Sequence, residues 1–257
     1  MYSLRDKIVF ITGASSGIGA SCARAFAAQG AKVLMAARRL ERIQSLADEL
    51  QKEHGVAAHA FQLDVRDQPS VEKAIATLPP EWEAIEVLVN NAGLSRGIDK
   101  LHEGKLQDWE EMIDTNIKGL LYVSRAVIPG MVKRGVGHII NLGSIAGHAV
   151  YPGGNVYCAT KFAVSALSTG MRMDLLGTPL RVSNVEPGMV ETEFSLVRFR
   201  GDEARADKVY EGITPLTPDD IADAIVYCAT RPPHVDVAEM TLMPVAQASV
   251  MLNYRSK

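Results

Sequence analysis

KIVFITGASSGIGASCARAFAAQG, residues 7–30, is the stretch from which the rest of the chain can be laid out. It opens on a nearly unbroken apolar run, as a strand buried on both faces requires. Glycines at 13, 17 and 19 follow, with Ser15, Ser16 and Ile18 between them. Glycine there permits a tight turn, a close approach of backbone to a ligand and close packing of helix on strand. A helix-length segment then begins, and its first N–H groups and positive dipole end form a cradle for phosphate. The spacing is G-x-x-x-G-x-G rather than G-x-G-x-x-G, but its place between strand and helix points to a dinucleotide.

The same rhythm repeats along the chain. Strands are predicted at 7–12, 32–37, 59–64, 85–91, 138–144, 181–187 and 239–244, rich in Val, Ile and Leu. Helical stretches such as LERIQSLADELQKEH and DDIADAIVYCAT separate them. Repeated βαβ units with right-handed crossovers imply an α/β fold: a single-domain, Rossmann-like, doubly wound parallel sheet of about seven strands with helices on both faces. No Pro/Gly/Ser linker divides residues 1–257.

Composition narrows the function. The 257 residues are 47% hydrophobic, enough for a large core, and carry a net charge of −3. That balance leaves no basic footprint for nucleic acid. Apolar runs stop well short of the ~20 residues a membrane span needs, and the first seven residues lack the apolar stretch of a signal peptide. The three cysteines are scattered, with no CxxC, so neither a disulfide framework nor a metal site is expected. A cytoplasmic protein is the expectation.

Two further patterns bear on chemistry. An NAD site places a carboxylate at the end of the second strand to bond the ribose 2′-hydroxyl. Here that place reads Ala36-Ala37-Arg38-Arg39. Guanidinium forks suit a 2′-phosphate, so NADP(H) is the expected cofactor. The other reading has Arg38 and Arg39 simply opening a solvated helix, which suits Arg39 better than Arg38. Asp64 and Val65, closing the third predicted strand, are placed to meet the adenine. The second pattern is YCATK, with Tyr157 and Lys161 four residues apart on one helical face, and Ser144 upstream in NLGSIAG. A phenol titrates near 10, and an adjacent ammonium lowers that value. Ser144 would then hold the oxygen that Tyr157 protonates or deprotonates.

TGxxxGIG at 12–19, NNAG at 90–93, Asn116 in DTNIKG, Ser144, YCATK and Pro187-Gly188 together resemble the short-chain dehydrogenases/reductases, over essentially the whole chain and in order. The resemblance implies Tyr157 as proton donor and acceptor, Lys161 lowering its pKa and binding the nicotinamide ribose, and Ser144 orienting the carbonyl. It implies a water held by Asn116 in a relay to Lys161. Asn91, Ala92 and Gly93 would line the cofactor, and Pro187, Gly188, Val190 and Thr192 would meet its nicotinamide end. A homotetramer or dimer is implied too.

VNNAGLS, YPGGNVYCATKFAV, VEPGMVETEFSLVRFRGD and the MPVAQAS tail are similar to NADP-dependent 3-hydroxy acid dehydrogenases, which act on serine, allo-threonine and malonic semialdehyde. Residues 189–216, a polar excursion after the sixth strand, read as a substrate lid, and residues 244–257 as a tail near the active site or a subunit interface. Such substrates carry an anion, for which Arg198 is the candidate clamp and Arg200 the reserve. Tyr151 and Gln247 would complete the anion's bonds. The competing readings pair Arg198 with Glu191 or Glu203, give Gln247 to an interface, and leave Arg96 and His148 as exposed loop residues. A sulfonate offers the same charge, so sulfoacetaldehyde is the alternative substrate. Thioester or sugar substrates, and a nucleotide sensor without chemistry, are the remaining readings. The complete Tyr-Lys-Ser set speaks against the sensor.

Overall fold

The structure, a computed structural model, describes residues 2–256. Seven parallel strands form one sheet in the order β3-β2-β1-β4-β5-β6-β7. They are β1 (Ile8–Thr12), β2 (Lys32–Ala37), β3 (Ala58–Gln62), β4 (Ile85–Asn90), β5 (His138–Leu142), β6 (Arg181–Pro187) and β7 (Glu239–Leu242). All seven predicted strands are present, with ends that differ by no more than two residues.

Alternation of side chains across the pleat divides the core in two. Val9, Ile11, Val33, Met35 and Val89 face α1 (Gly17–Ala28), α2 (Leu40–His54) and α9 (Pro218–Ala229). Ile8, Phe10, Leu34, Leu88 and Ile139 face the other way, onto α3 (Gln68–Ala76) and α5 (Leu120–Arg134). Because both faces are covered, the strands read as continuous apolar runs. The sheet winds outward from β1 in one direction and from β4 in the other, so a crevice opens at their carboxyl ends.

Three connections shape that crevice. Between α4 (Leu106–Ile113) and α5 lies a π-helical turn, Asp114–Gly119, that carries Asn116. Such turns concentrate at functional sites. α6 (Asn155–Asp174) carries Tyr157 and Lys161 on its first two turns. The segment after β6 folds into α7 (Glu193–Arg198) and α8 (Glu203–Asp207) before α9 begins. Among the described residues no helix is long and apolar enough to cross a membrane.

Candidate active site

A cavity of about 620 Å³ runs along the carboxyl ends of β1, β2, β4, β5 and β6. Every residue expected at the cofactor, catalytic and substrate positions lines it except Gly19 and Asn116, which lie just behind its wall. The glycine turn needs its glycines for two distinct reasons. Gly13 and Gly17 have φ of +66° and +52°, where side chains are strained. A Cβ on Gly19 would lie 2.5 Å from the Asn91 Nδ2 and the Gly13 carbonyl. The Asn91 amide itself donates to the carbonyls of Thr12 (2.9 Å) and Gly13 (3.1 Å). It therefore braces the turn while its residue lines the cavity.

Where the ribose is expected, at the carboxyl end of β2, Arg38 lines the cavity and no carboxylate terminates the strand. Arg39 is not a bystander at the start of α2. Its Nη2 donates to Ser15 Oγ (3.0 Å) and Ser16 Oγ (2.8 Å), and its Nη1 to Glu193 (2.9 Å). Asp64 and Val65 both line this end. Asp64, expected to be available to adenine, is held by Arg66 through a two-pronged ion pair, with its Oδ2 2.6 Å from Nη2. The guanidinium keeps the Asp64 carboxyl below the ordinary value.

At the centre, α6 turns Tyr157 and Lys161 inward, and both are buried. Lys161 Nζ donates to the Leu142 carbonyl at the end of β5 (2.8 Å) and lies 5.9 Å from the centre of the Tyr157 ring. Ser144 follows β5 and accepts from the Ala146 amide (3.1 Å), which fixes its hydroxyl at the cavity wall. Burial draws the Lys161 ammonium down to about 8. The same burial, with a contribution from Tyr151, pushes the Tyr157 phenol well above its ordinary value, against the pull of Arg198 and Ser144. This corrects the expectation of a phenol made acidic by its lysine. In the free chain desolvation outweighs the cation.

Asn116 is nearly fully buried and its amide is spent inside the protein. Its Oδ1 accepts from Leu94 N (2.9 Å), while its Nδ2 donates to Leu94 O (2.8 Å) and Thr160 Oγ1 (3.0 Å). These bonds tie the π-helical turn to the β4 loop and to α6, one residue before Lys161.

The segment after β6 covers the far end. Pro187, Gly188 and Val190 line the cavity. Thr192 caps α7 through Phe194 N (3.1 Å) and packs on Gly17, whose Cβ would lie 3.2 Å away. Arg198 makes no ion pair with Glu191 or Glu203. Its Nη2 donates to the Tyr151 hydroxyl (3.3 Å), and its guanidinium sits 5.6 Å from the Tyr157 ring and 5.0 Å from that of Phe194. Its Nε is buried without a partner among the described residues. Gln247, expected near the anion, lines the cavity but accepts from Met189 N (2.8 Å) and donates to Ser249 O (3.2 Å). It fastens the tail to the loop after β6.

Two further arginine readings change. Arg200 pairs with buried Asp108 of α4 and does not line the cavity, so it is no reserve clamp. Arg96 is not a free loop residue: it pairs with Glu111 (2.6 Å) and donates to the Val197 carbonyl, anchoring the end of α7. His148 is the exposed residue expected, and its Nε2 lies within hydrogen-bond distance (2.6 Å) of Oε2 of buried Glu186. Sequence reasoning did not find Phe194, edge-on to Tyr157 at 5.6 Å, or Tyr210, whose hydroxyl donates to the Val190 carbonyl (2.9 Å). Phe194 sits on the six-residue α7 and Tyr210 in a turn, both too short for periodicity to mark an inward face.

A family model described as short chain dehydrogenase matches residues 7–202. The chain belongs to this family. Among relatives of the dehydrogenase is the NADP-dependent 3-hydroxy acid dehydrogenase YdfG of Salmonella typhi, 51% identical over 242 residues, 94% of this chain and 96% of that one. Sulfoacetaldehyde reductase 2 of Chromohalobacter salexigens is 47% identical over 244 residues, 95% and 96% of the two chains. A solved structure described as the closed form of serine dehydrogenase complexed with NADP+ is 48% identical. It matches this dehydrogenase with a TM-score of 0.90 over 97% of this chain and 100% of that one.

Proposed function

We infer that this short chain dehydrogenase is an NADP(H)-dependent oxidoreductase that interconverts a short 3-hydroxy acid, of the serine, allo-threonine or 3-hydroxypropionate type, and its 3-oxo acid or semialdehyde. One observation carries the reading: a cavity with Arg38 and Arg39 at the ribose end, the Tyr157 hydroxyl between, and the Arg198 guanidinium over the Tyr157 ring at the other end. The relatives named above support the same cofactor and substrate class.

The residues present fit such a cofactor. Gly13, Ser15, Ser16, Gly17 and Ile18 of the glycine turn line the cavity where α1 begins, as a phosphate cradle requires. Arg38, Arg39 and Ser15 offer donors to a 2′-phosphate. Asn91, Ala92, Gly93, Val65, Asp64, Pro187, Gly188, Val190 and Thr192 would line its length. When bound, the nicotinamide supplies hydride in reduction and takes it up in oxidation.

Tyr157 then delivers its proton to the carbonyl oxygen in reduction and removes it from the hydroxyl in oxidation. Burial keeps the phenol protonated at neutral pH, which suits the reductive direction. Ser144 donates to the same oxygen. Lys161 stabilises the phenolate when Tyr157 has given up its proton, and Asn116, through its bond to Thr160, holds the part of α6 that carries Lys161 in place. Arg198 with Tyr151 clamps the substrate anion. The amide of Gln247 is engaged elsewhere, so two groups serve the anion, which suits a carboxylate's two oxygens. We assign residues 189–216 as the lid and 244–257 as the tail that fastens it.

Steady-state assays test this with both cofactors, using serine, allo-threonine and 3-hydroxypropionate in oxidation and malonic semialdehyde and sulfoacetaldehyde in reduction. Turnover of carboxylates, with NADP(H) preferred, is expected. Turnover of sulfoacetaldehyde alone moves the assignment to the sulfonate, and no turnover with any of them overturns the substrate claim. We further place the enzyme in the cytoplasm as a homotetramer or dimer. Exposed apolar side chains on α4, α5 and α6, including Leu106, Leu121, Phe162 and Met173, support association. Sedimentation velocity decides it.

A further inference from the structure

One acidic side chain connects the two ends of the cavity. Glu193, the first residue of α7, accepts from Arg39 Nη1 (2.9 Å) through one oxygen and from Arg42 Nη1 (2.7 Å) through the other. Both arginines sit where α2 begins, beside the turn that would receive the ribose phosphate. They hold the Glu193 carboxyl below its ordinary value. At the other end of α7, about 7.5 Å away at 1.5 Å per residue, stands Arg198, the substrate clamp. The helix between is held on both sides. Thr192 packs on Gly17, and Arg96 and Gly97 bond the carbonyls of Val197 and Arg198, the latter at 3.0 Å.

We propose that Glu193 is a positioning residue that couples recognition of the cofactor's 2′-phosphate to the placement of the substrate clamp. The inference rests on the NADP(H) reading above. A guanidinium has five donors in a fixed fork, so it can serve two anions from different edges. Arg39 directs Nε and Nη2 at the Ser15 and Ser16 hydroxyls and keeps Nη1 for Glu193. A phosphate arriving on the Ser15 side need not expel the carboxylate. It immobilises Arg39, and the ordered Arg39 holds Glu193 and with it the first turn of α7. A cofactor without that phosphate leaves Arg39 and the helix less constrained. Coupling of this kind is worth about 5- to 150-fold between sites, and it is reciprocal.

Hydrogen exchange of the α7 amides tests it without any substrate. The protein is saturated in turn with NADPH and NADH, with saturation set by nicotinamide fluorescence titration. In the parent protein α7 should exchange at least about fivefold more slowly with NADPH than with NADH. In Glu193→Gln, which keeps the shape and removes the charge, the two rates should converge. Arg42→Met should give an intermediate ratio. Equal exchange with both cofactors in the parent protein overturns the proposal, as does a difference that survives in Glu193→Gln. A protein that shows the expected exchange but turns over none of the hydroxy acids leaves the coupling standing and removes only the substrate assignment. A protein that binds neither NADPH nor NADH removes the cofactor reading itself. Where substrate turns over, its KM should be lower with NADP than with NAD, and that ratio should fall towards one in Glu193→Gln while kcat with NADP changes less than about threefold.

Discussion

Replacing Arg198 by methionine separates anion recognition from hydride chemistry, because methionine keeps the apolar cover over Tyr157 and Phe194 while removing the fork. A charge-assisted hydrogen bond contributes about 1.5–3 kcal/mol. Two such bonds to a carboxylate, taken at the low end because water competes for them, amount to about 3 kcal/mol. At 1.4 kcal/mol per tenfold, kcat/KM for an anionic substrate should fall about 100-fold. A neutral aldehyde of similar size, such as propanal, makes no such bonds and should lose less than about fivefold. Arg198 also draws the Tyr157 phenol downward, so its loss should shift the rising, acid-side limb of the oxidation profile to higher pH. Arg198→Lys restores the charge without the planar fork and should recover only part of the loss. The assay is steady-state kinetics of both substrate classes at saturating NADP(H). Equal losses for the anionic and neutral substrates, or full activity in Arg198→Lys, would refute the clamp.

Other outcomes follow from the same geometry. Tyr157→Phe should lower turnover by at least about 100-fold, the usual reach of one acid–base group, while NADPH affinity by fluorescence stays within a few-fold; substantial residual turnover removes the phenol from the mechanism. Arg38→Ala should weaken NADPH more than NADH, by about tenfold or more for one charge-assisted bond, and equal weakening of both would dissociate Arg38 from the 2′-phosphate. Lys161 falls from 10.5 to about 8 on burial, so the buried ammonium costs roughly 3 kcal/mol at 1.36 kcal/mol per tenfold. A depressed value contributes its full stability above 10.5 and loses it as pH falls through about 8. Lys161→Met should therefore abolish activity yet unfold at higher urea than the parent at pH 7, with that advantage gone near pH 10.5; a variant less stable at pH 7 would contradict the desolvation argument.

Much of this enzyme was readable before folding. The order of strands and helices follows from apolar periodicity and the glycine turn, both local in the chain. The cavity's main residues follow too, because Tyr157 and Lys161 are four apart on α6 and Arg38-Arg39 directly follow β2. Spacing along one element sets which side chains share a face, and no tertiary contact is needed to see it.

Direction and pairing were decided elsewhere. The Tyr157 phenol rises rather than falls because desolvation depends on everything packed over it, Phe194 and Tyr151 included. Asp64 is taken by Arg66, Arg200 by Asp108 and Arg39 by Glu193. The last two pairs join positions 92 and 154 residues apart. A sequence states which charges exist and which local element carries them. Only the folded chain brings distant charges within a few ångströms and removes the water between them, and that step settles their partners and their protons.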